Sequence, residues 1–219
     1  MSSILDDGKD LSKQAWPHDF FCNDRGLTSL KGAPKEVEKN FNCSSNKLTS
    51  LEFCPEIIGK HFLCKGNKLT SLKFGPKKVG GNYNCGKNNL KNLKGASRIV
   101  GGYFFCIDSG LESLEGCPEI VGSKFDCSRN KLSSLKYSPK EVTNDFDCSY
   151  NNITSLEGFK TIIGGNFFAH GNPNPHLEKE FIIRINNPKM SEEKLKMLLY
   201  KETKYEGYLP KEAQDIFLF

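Results

Sequence analysis

Apolar positions along this chain recur on a fixed period of 21 residues, not at the spacing of an amphipathic helix. An aromatic opens each unit, at Phe20, Phe41, Phe62, Tyr83, Phe104, Phe125, Phe146 and Phe167, with no residue gained or lost between them. Two places on stand Cys22, Cys43, Cys64, Cys85, Cys106, Cys127 and Cys148, with Ala169 closing the series. A leucine column follows from Leu27 to Leu132 and Ile153, and three places later a second runs from Leu30 to Leu156. An aliphatic completes each unit: Val37, Ile58, Val79, Val100, Val121, Val142 and Ile163. Self-similarity at a period of roughly 20 to 50 residues marks a solenoid, in which each coil buries its apolar face only against its neighbours.

Within a unit, the aromatic and the cysteine are two apart, so an extended strand points both to one face and the residue between them to the other. Each coil is therefore expected to supply one short strand, and identical coils to stack these strands in parallel. The asparagines at Asn46, Asn67, Asn88, Asn130, Asn151 and Asn172 fall at the strand's exit, where a carboxamide that both donates and accepts can satisfy turning backbone. Arg25 and Ser109 interrupt that column. After the leucines, Pro34, Pro55, Pro76, Pro118 and Pro139 forbid a continuing helix, so the return side is expected to be extended or turn-like. The pairs Gly80–Gly81, Gly101–Gly102 and Gly164–Gly165 predict either positive φ or close approach of backbones.

The repeats span residues 20–172, seven full units and a partial eighth. Residues 1–19 read as an N-terminal cap, with Ile4, Leu5, Leu11, Trp16 and Pro17 able to cover the first coil. Residues 173–219 read as a C-terminal cap or a docking element. In it Phe181–Ile185 is expected to be a last strand, Ser191 to begin a helix carrying Leu195, Leu198, Leu199 and Glu202 to about Thr203, and Ile216–Phe219 forms an apolar end.

Charge adds little. The repeats carry an excess of seven positive charges, which residues 1–19 offset to the net +5, and there Lys31, Glu52, Lys73, Lys94, Glu115, Lys136 and Glu157 mix signs along one column, a solvated face and not a phosphate-binding stripe. No nucleic-acid partner is expected. The first residues lack a signal-peptide pattern, and no apolar run of about 18 residues could span a membrane, so the expected setting is cytoplasmic. Nine cysteines would suggest disulfides in a secreted chain. Seven of them occupy one column, however, where stacked strands hold successive members about 4.8 Å apart with parallel side chains. That spacing suits neither a bridge nor a tetrahedral metal site, and reduced, buried thiols are expected. Cys54 and Cys117, outside the column, are expected to be exposed.

The unit resembles the leucine-rich repeat. Phe41, Cys43, Asn46 and Leu48 take the fourth, sixth, ninth and eleventh places of L-x-x-L-x-L-x-x-N-x-L, and the proline-bearing continuation from Leu48 to Ile58 is similar to the short class of bacterial type III effectors. The unit is one residue longer than is typical of that class, and its wording is most like leucine-rich-repeat proteins of tailed bacteriophages. The resemblance implies a repeat solenoid with a parallel β-sheet on the concave face, an extended or turn-like convex side and a small cap containing helix. Effectors of this class often carry a C-terminal ubiquitin ligase with a catalytic Cys. The residues after the repeats contain no Cys, so that activity is not carried over.

No catalytic constellation emerges. His18, His61, His170 and His176 are scattered, and strand alternation sets His61 and Cys64 on opposite faces, which disfavours a nucleophile pair. Neither a P-loop nor a dinucleotide fingerprint is present, and no metal or cofactor is called for. The outward row of the strands is the informative surface. It carries Phe21, Leu63, Phe105 and Phe168, with Tyr103 and Ile107 flanking Phe105, beside an acidic group of Asp126, Asp145 and Asp147. Aromatics rimmed by charge suit a protein interface. The expected function is therefore non-enzymatic protein binding, by a phage-encoded factor acting on a host protein or by a virion component. Carbohydrate or cell-surface recognition is the alternative, since rings also stack on sugars.

Overall fold

Two strands of two residues each, set around one sharp corner, define every coil of the computed structural model, which describes residues 10–186. The aromatic column opens one strand of each coil, from Phe20–Phe21 to Phe167–Phe168, and these stack into an eight-stranded parallel sheet, here the aromatic sheet. The other strands run from Ala15–Trp16 to Ile162–Ile163 and carry the aliphatic column from Val37 onwards; they form a second eight-stranded parallel sheet, the aliphatic sheet. In both sheets the neighbour of a residue is the one 21 places on, as in Phe104↔Phe125 and Val121↔Val142. The protein is a parallel β-solenoid.

The second sheet corrects the expectation of one strand per coil: the return side is extended between turns, as expected, but its extended residues also pair into a sheet. A two-residue strand is too short to show alternation, and it is held by its neighbours above and below, not by local preference.

The interior is built from the repeat columns. Ring centroids down the aromatic column lie between 4.8 and 6.1 Å apart without a gap. The cysteine column is buried, and burial pushes its thiols well above the usual range, Cys22 to about 12. The thiols of Cys85, Cys106, Cys127 and Cys148 donate to the carbonyls of Phe105, Asp126, Asp147 and Phe168 in the next coil at 3.4–3.5 Å. Cys54 is buried too and Cys117 is partly buried, against the expectation of exposure. Both belong to a column of mostly small residues before the proline, with Ala33, Gly75 and Ala96, that faces inward.

Backbone groups at the turns are met by side-chain ladders. The amide nitrogen of Asn130 donates to the carbonyls of Cys127 in its own coil, 2.9 Å, and Cys106 in the coil before, 3.0 Å, while its oxygen accepts from Leu111 at 3.0 Å. The other asparagines of the column repeat this bridge, as the sequence predicts. A second ladder follows the first leucine column: the hydroxyls of Ser29, Ser50, Ser71, Ser113, Ser134 and Ser155 accept the amide two residues on at 3.0–3.4 Å, and Asn92 does so at 3.1 Å. At Gly80, Gly101 and Gly164 the reason for glycine is close approach: a Cβ there would run into the carbonyl of the preceding coil.

At the start, Leu11 is buried and the Trp16 ring meets Phe20 edge-on at 5.8 Å; Ile4 and Leu5 lie outside the described residues. At the other end the expected strand at Phe181–Ile185 is instead part of a helix, α1, Leu177–Asn186. The helix supplies three groups to the last coils. Glu178 accepts the Ala169 amide at 2.8 Å, Glu180 accepts the Leu156 amide at 3.0 Å, and Phe181 stacks on Phe167 at 4.6 Å. These acceptors stand where the next coil would have been. The expected helix after Ser191 and the apolar end Ile216–Phe219 lie outside the described residues. Among the described residues, no helix is long and apolar enough to cross a membrane.

Candidate functional site

The outward row of the aromatic sheet runs Phe21, Asn42, Leu63, Asn84, Phe105, Asp126, Asp147, Phe168. Alternation on the strand is as expected: Phe104 is fully buried and Phe105 faces out. The row divides by chemistry. Asn42, Asn84, Asp126 and Asp147 each accept the amide two residues on, at 3.0–3.1 Å, and so close the turn that leaves the strand. Phe21, Leu63, Phe105 and Phe168 have no such task, and Phe21 is the most open of them, at 54 %.

The structure brings Tyr103 and Phe105 together as a stacked pair, ring centroids 3.9 Å apart and planes 17° from parallel. Two residues apart on extended backbone, they share a side. Ile107 lies half-buried beyond them, so the three form a short apolar strip near the middle of the solenoid.

The acidic group differs from expectation. Asp126 is buried, at 6 %, and accepts the Ser128 hydroxyl at 2.6 Å. Lys124 spans it and Asp147, at 3.1 and 3.2 Å, so two of the three carboxylates share one cation within the sheet. Burial works against the Lys124 charge, but its hydrogen bonds to the two carboxylates outweigh that and hold its pKa above the usual lysine value. Asp145 stands apart, at the corner, where it accepts the Asn166 amide at 2.9 Å. It belongs to a ladder that sequence reasoning missed: Asp19, Asn40, His61 and Asn82 each accept the amide of the residue 21 on. His61 thus acts through Nδ1 on backbone, and Cys64 lies buried away from it.

Charged side chains on the return side are paired across rungs. Lys77 meets Glu56 at 2.8 Å, Lys94 meets Glu115 at 2.9 Å, and Glu119 lies between Arg98 and Lys140 at 2.6 and 2.7 Å, which hold its carboxyl down at about 2.

Two further sets of exposed apolar residues were not foreseen. Phe53, Phe74 and Tyr137 take positive φ, 66–67°, at the corner where Gly32, Gly95, Gly116 and Gly158 stand in other coils. Bulky residues in that region carry backbone strain, and all three are exposed, two of them under Lys73 and Lys136 at 4.9 and 5.0 Å. The aromatic interruptions of the glycine column were the available signal. Ile57, Ile99, Ile120 and Ile162 face out from the aliphatic sheet. Each precedes an inward aliphatic, but without a strand assigned there its direction could not be read.

Compared with known proteins, the chain matches no family model and no curated sequence.

Proposed function

We propose that this protein is a non-catalytic binding module that engages a protein partner along the outward row of the aromatic sheet, with Phe21, Leu63, Tyr103, Phe105 and Ile107 as its contact residues. The observation that carries the reading is the Tyr103–Phe105 stack: two rings pre-set in parallel offer a flat apolar surface that need not order on binding. Aromatic anchors near the centre of an interface supply most of its energy. Asp147, half-buried and held by Lys124, rims the strip, whereas Asp126 and Asp145 serve the sheet and its corner. The leucine-rich-repeat resemblance supports the same reading, and with it a phage-encoded factor that acts on a host protein in the cytoplasm or belongs to the virion.

Affinity capture from lysate with the full chain, followed by the same capture with Phe105→Ala, tests it. The variant should lose about 2 kcal/mol of partner affinity, roughly 30-fold. Undiminished capture by the variant defeats the assignment of the surface. A glycan array bound through Phe105, with no protein captured, transfers the site to sugars.

A further inference from the structure

The outward row of the aliphatic sheet runs Ala15, Glu36, Ile57, Lys78, Ile99, Ile120, Glu141, Ile162. Its isoleucines are 37–70 % exposed, so no described residue lies over them. On one side each isoleucine of the row is bordered by a glycine, Gly59, Gly101, Gly122 and Gly164, where a Cβ would strike the preceding coil's carbonyl, while Thr143 stands beside Glu141. No side chain stands between the isoleucines and a surface approaching from there.

From Ile57 to Ile162 the row reads Ile, Lys, Ile, Ile, Glu, Ile. Reversed, it reads Ile, Glu, Ile, Ile, Lys, Ile, so the row is complementary to an antiparallel copy of itself. With the two-fold axis between the coils of Ile99 and Ile120, Ile57 faces Ile162 of the second copy, Lys78 faces its Glu141, and Ile99 faces its Ile120. Because both ladders have the same rung spacing, about 4.8 Å, they stay in step across six coils. The alternatives are worse. Sliding one copy by a coil in one direction sets Lys78 on Ile120 and Glu141 on Ile57, and in the other sets Lys78 on Ile162 and Glu141 on Ile99. Parallel pairing sets Lys78 on Lys78 and Glu141 on Glu141. Over the six coils from Ile57 to Ile162 only this register leaves every apolar group on an apolar group and every charge on its opposite, which is how partner and register are specified in ordinary interfaces; the register centred on Ile57, with Glu36 on Lys78 and Ala15 on Ile99, joins only five coils and brings just two isoleucines of each copy into the contact.

We propose that the aliphatic sheet is a homodimer interface, formed by antiparallel, isologous pairing of two copies of this chain. The proposal is independent of the partner assigned to the aromatic row.

Sedimentation equilibrium of the full chain, up to near-millimolar concentration, should show reversible monomer–dimer exchange. Lys78→Glu alone and Glu141→Lys alone each place like charges opposite one another twice per dimer, and each should weaken dimerisation about tenfold or more. An equimolar mixture of the two variants should associate as a heterodimer, because the cross pair restores a Glu–Lys contact at both positions. Both side chains are exposed, so unchanged far-ultraviolet circular dichroism and melting serve as the control for folding. A wild type that stays monomeric overturns the proposal and leaves the row to some other partner or to none. Single variants that dimerise like wild type, or a mixture that fails to associate, overturn it equally.

Discussion

Tyr83 is where the repeat departs from its own rule. It stands among phenylalanines, fully buried, and its hydroxyl has no hydrogen-bond partner among the described residues. Room for the extra oxygen comes from Gly75, where a Cβ would lie 3.3 Å from it. An unmet buried hydroxyl is a cost, so Tyr83→Phe should raise stability by about 1 kcal/mol in thermal melts; a loss would reveal a partner for the oxygen. A few coils on, Phe104 and Phe105 form a contrasting pair. Phe104→Ala should cost about 3 to 5 kcal/mol through lost burial and the cavity left behind. Phe105→Ala, half-buried against Tyr103, should cost about 1 kcal/mol, chiefly the ring stack. Reversal of that order in chemical denaturation would place the strand in the other register. These inward and outward assignments were legible in the sequence because the aromatic and the cysteine mark one face in every coil. Burial of Cys54 was not, since a lone cysteine before a proline does not show which way its coil turns.

Among the elements, α1 does the most with the fewest residues. The buried Glu180 accepts the amide of Leu156 at the last of the described coils. Glu180→Ala should destabilise by about 1 to 3 kcal/mol, the range for a buried donor left unmet. Hydrogen exchange should show the loss concentrated in the last coils, and Glu180→Gln, which keeps an acceptor, should recover most of it. Equal protection in both variants would mean that the helix only packs. Sequence reasoning placed a strand over this segment because Phe181–Ile185 is apolar and rich in isoleucine. Local preference gave way to the need of an open end for acceptors. The aliphatic sheet escaped for a related reason: its strands exist only through their neighbours, and nothing within two residues announces them. Left-handed backbone at Asp24, Ser45, Lys87, Asp108, Arg129 and Tyr150 was hidden likewise, because glycine fills that column only at Gly66 and Gly171.

For the whole molecule, the buried thiol column sets the response to alkali. Burial raises these thiols above their ordinary value of 9.0, Cys22 to about 12, and does the same for Cys117 outside the column. A raised pKa means that the folded state favours the neutral thiol. The stability this confers is fully present below pH 9 and is lost as pH climbs toward 12. Many coils share the column, so unfolding above pH 9 should be cooperative along the solenoid, and circular dichroism during alkaline titration would follow it. Retention of the fold well beyond pH 12 would show that the interior tolerates thiolate. Before unfolding the thiols should resist a water-soluble thiol reagent, and after it all nine should react without reductant.

The unbroken spacing from Phe20 to Phe167 also bears on inheritance. Each coil meets the next through the same backbone contacts, so an unequal crossover between two repeats of the gene deletes or duplicates one whole coil and leaves every other rung in register. Excision of residues 41–61 should accordingly yield a shorter folded protein, whereas a cut one residue longer or shorter should not fold. Lineages carrying this gene would then differ first in the number of coils, and length itself would be the trait that selection can adjust.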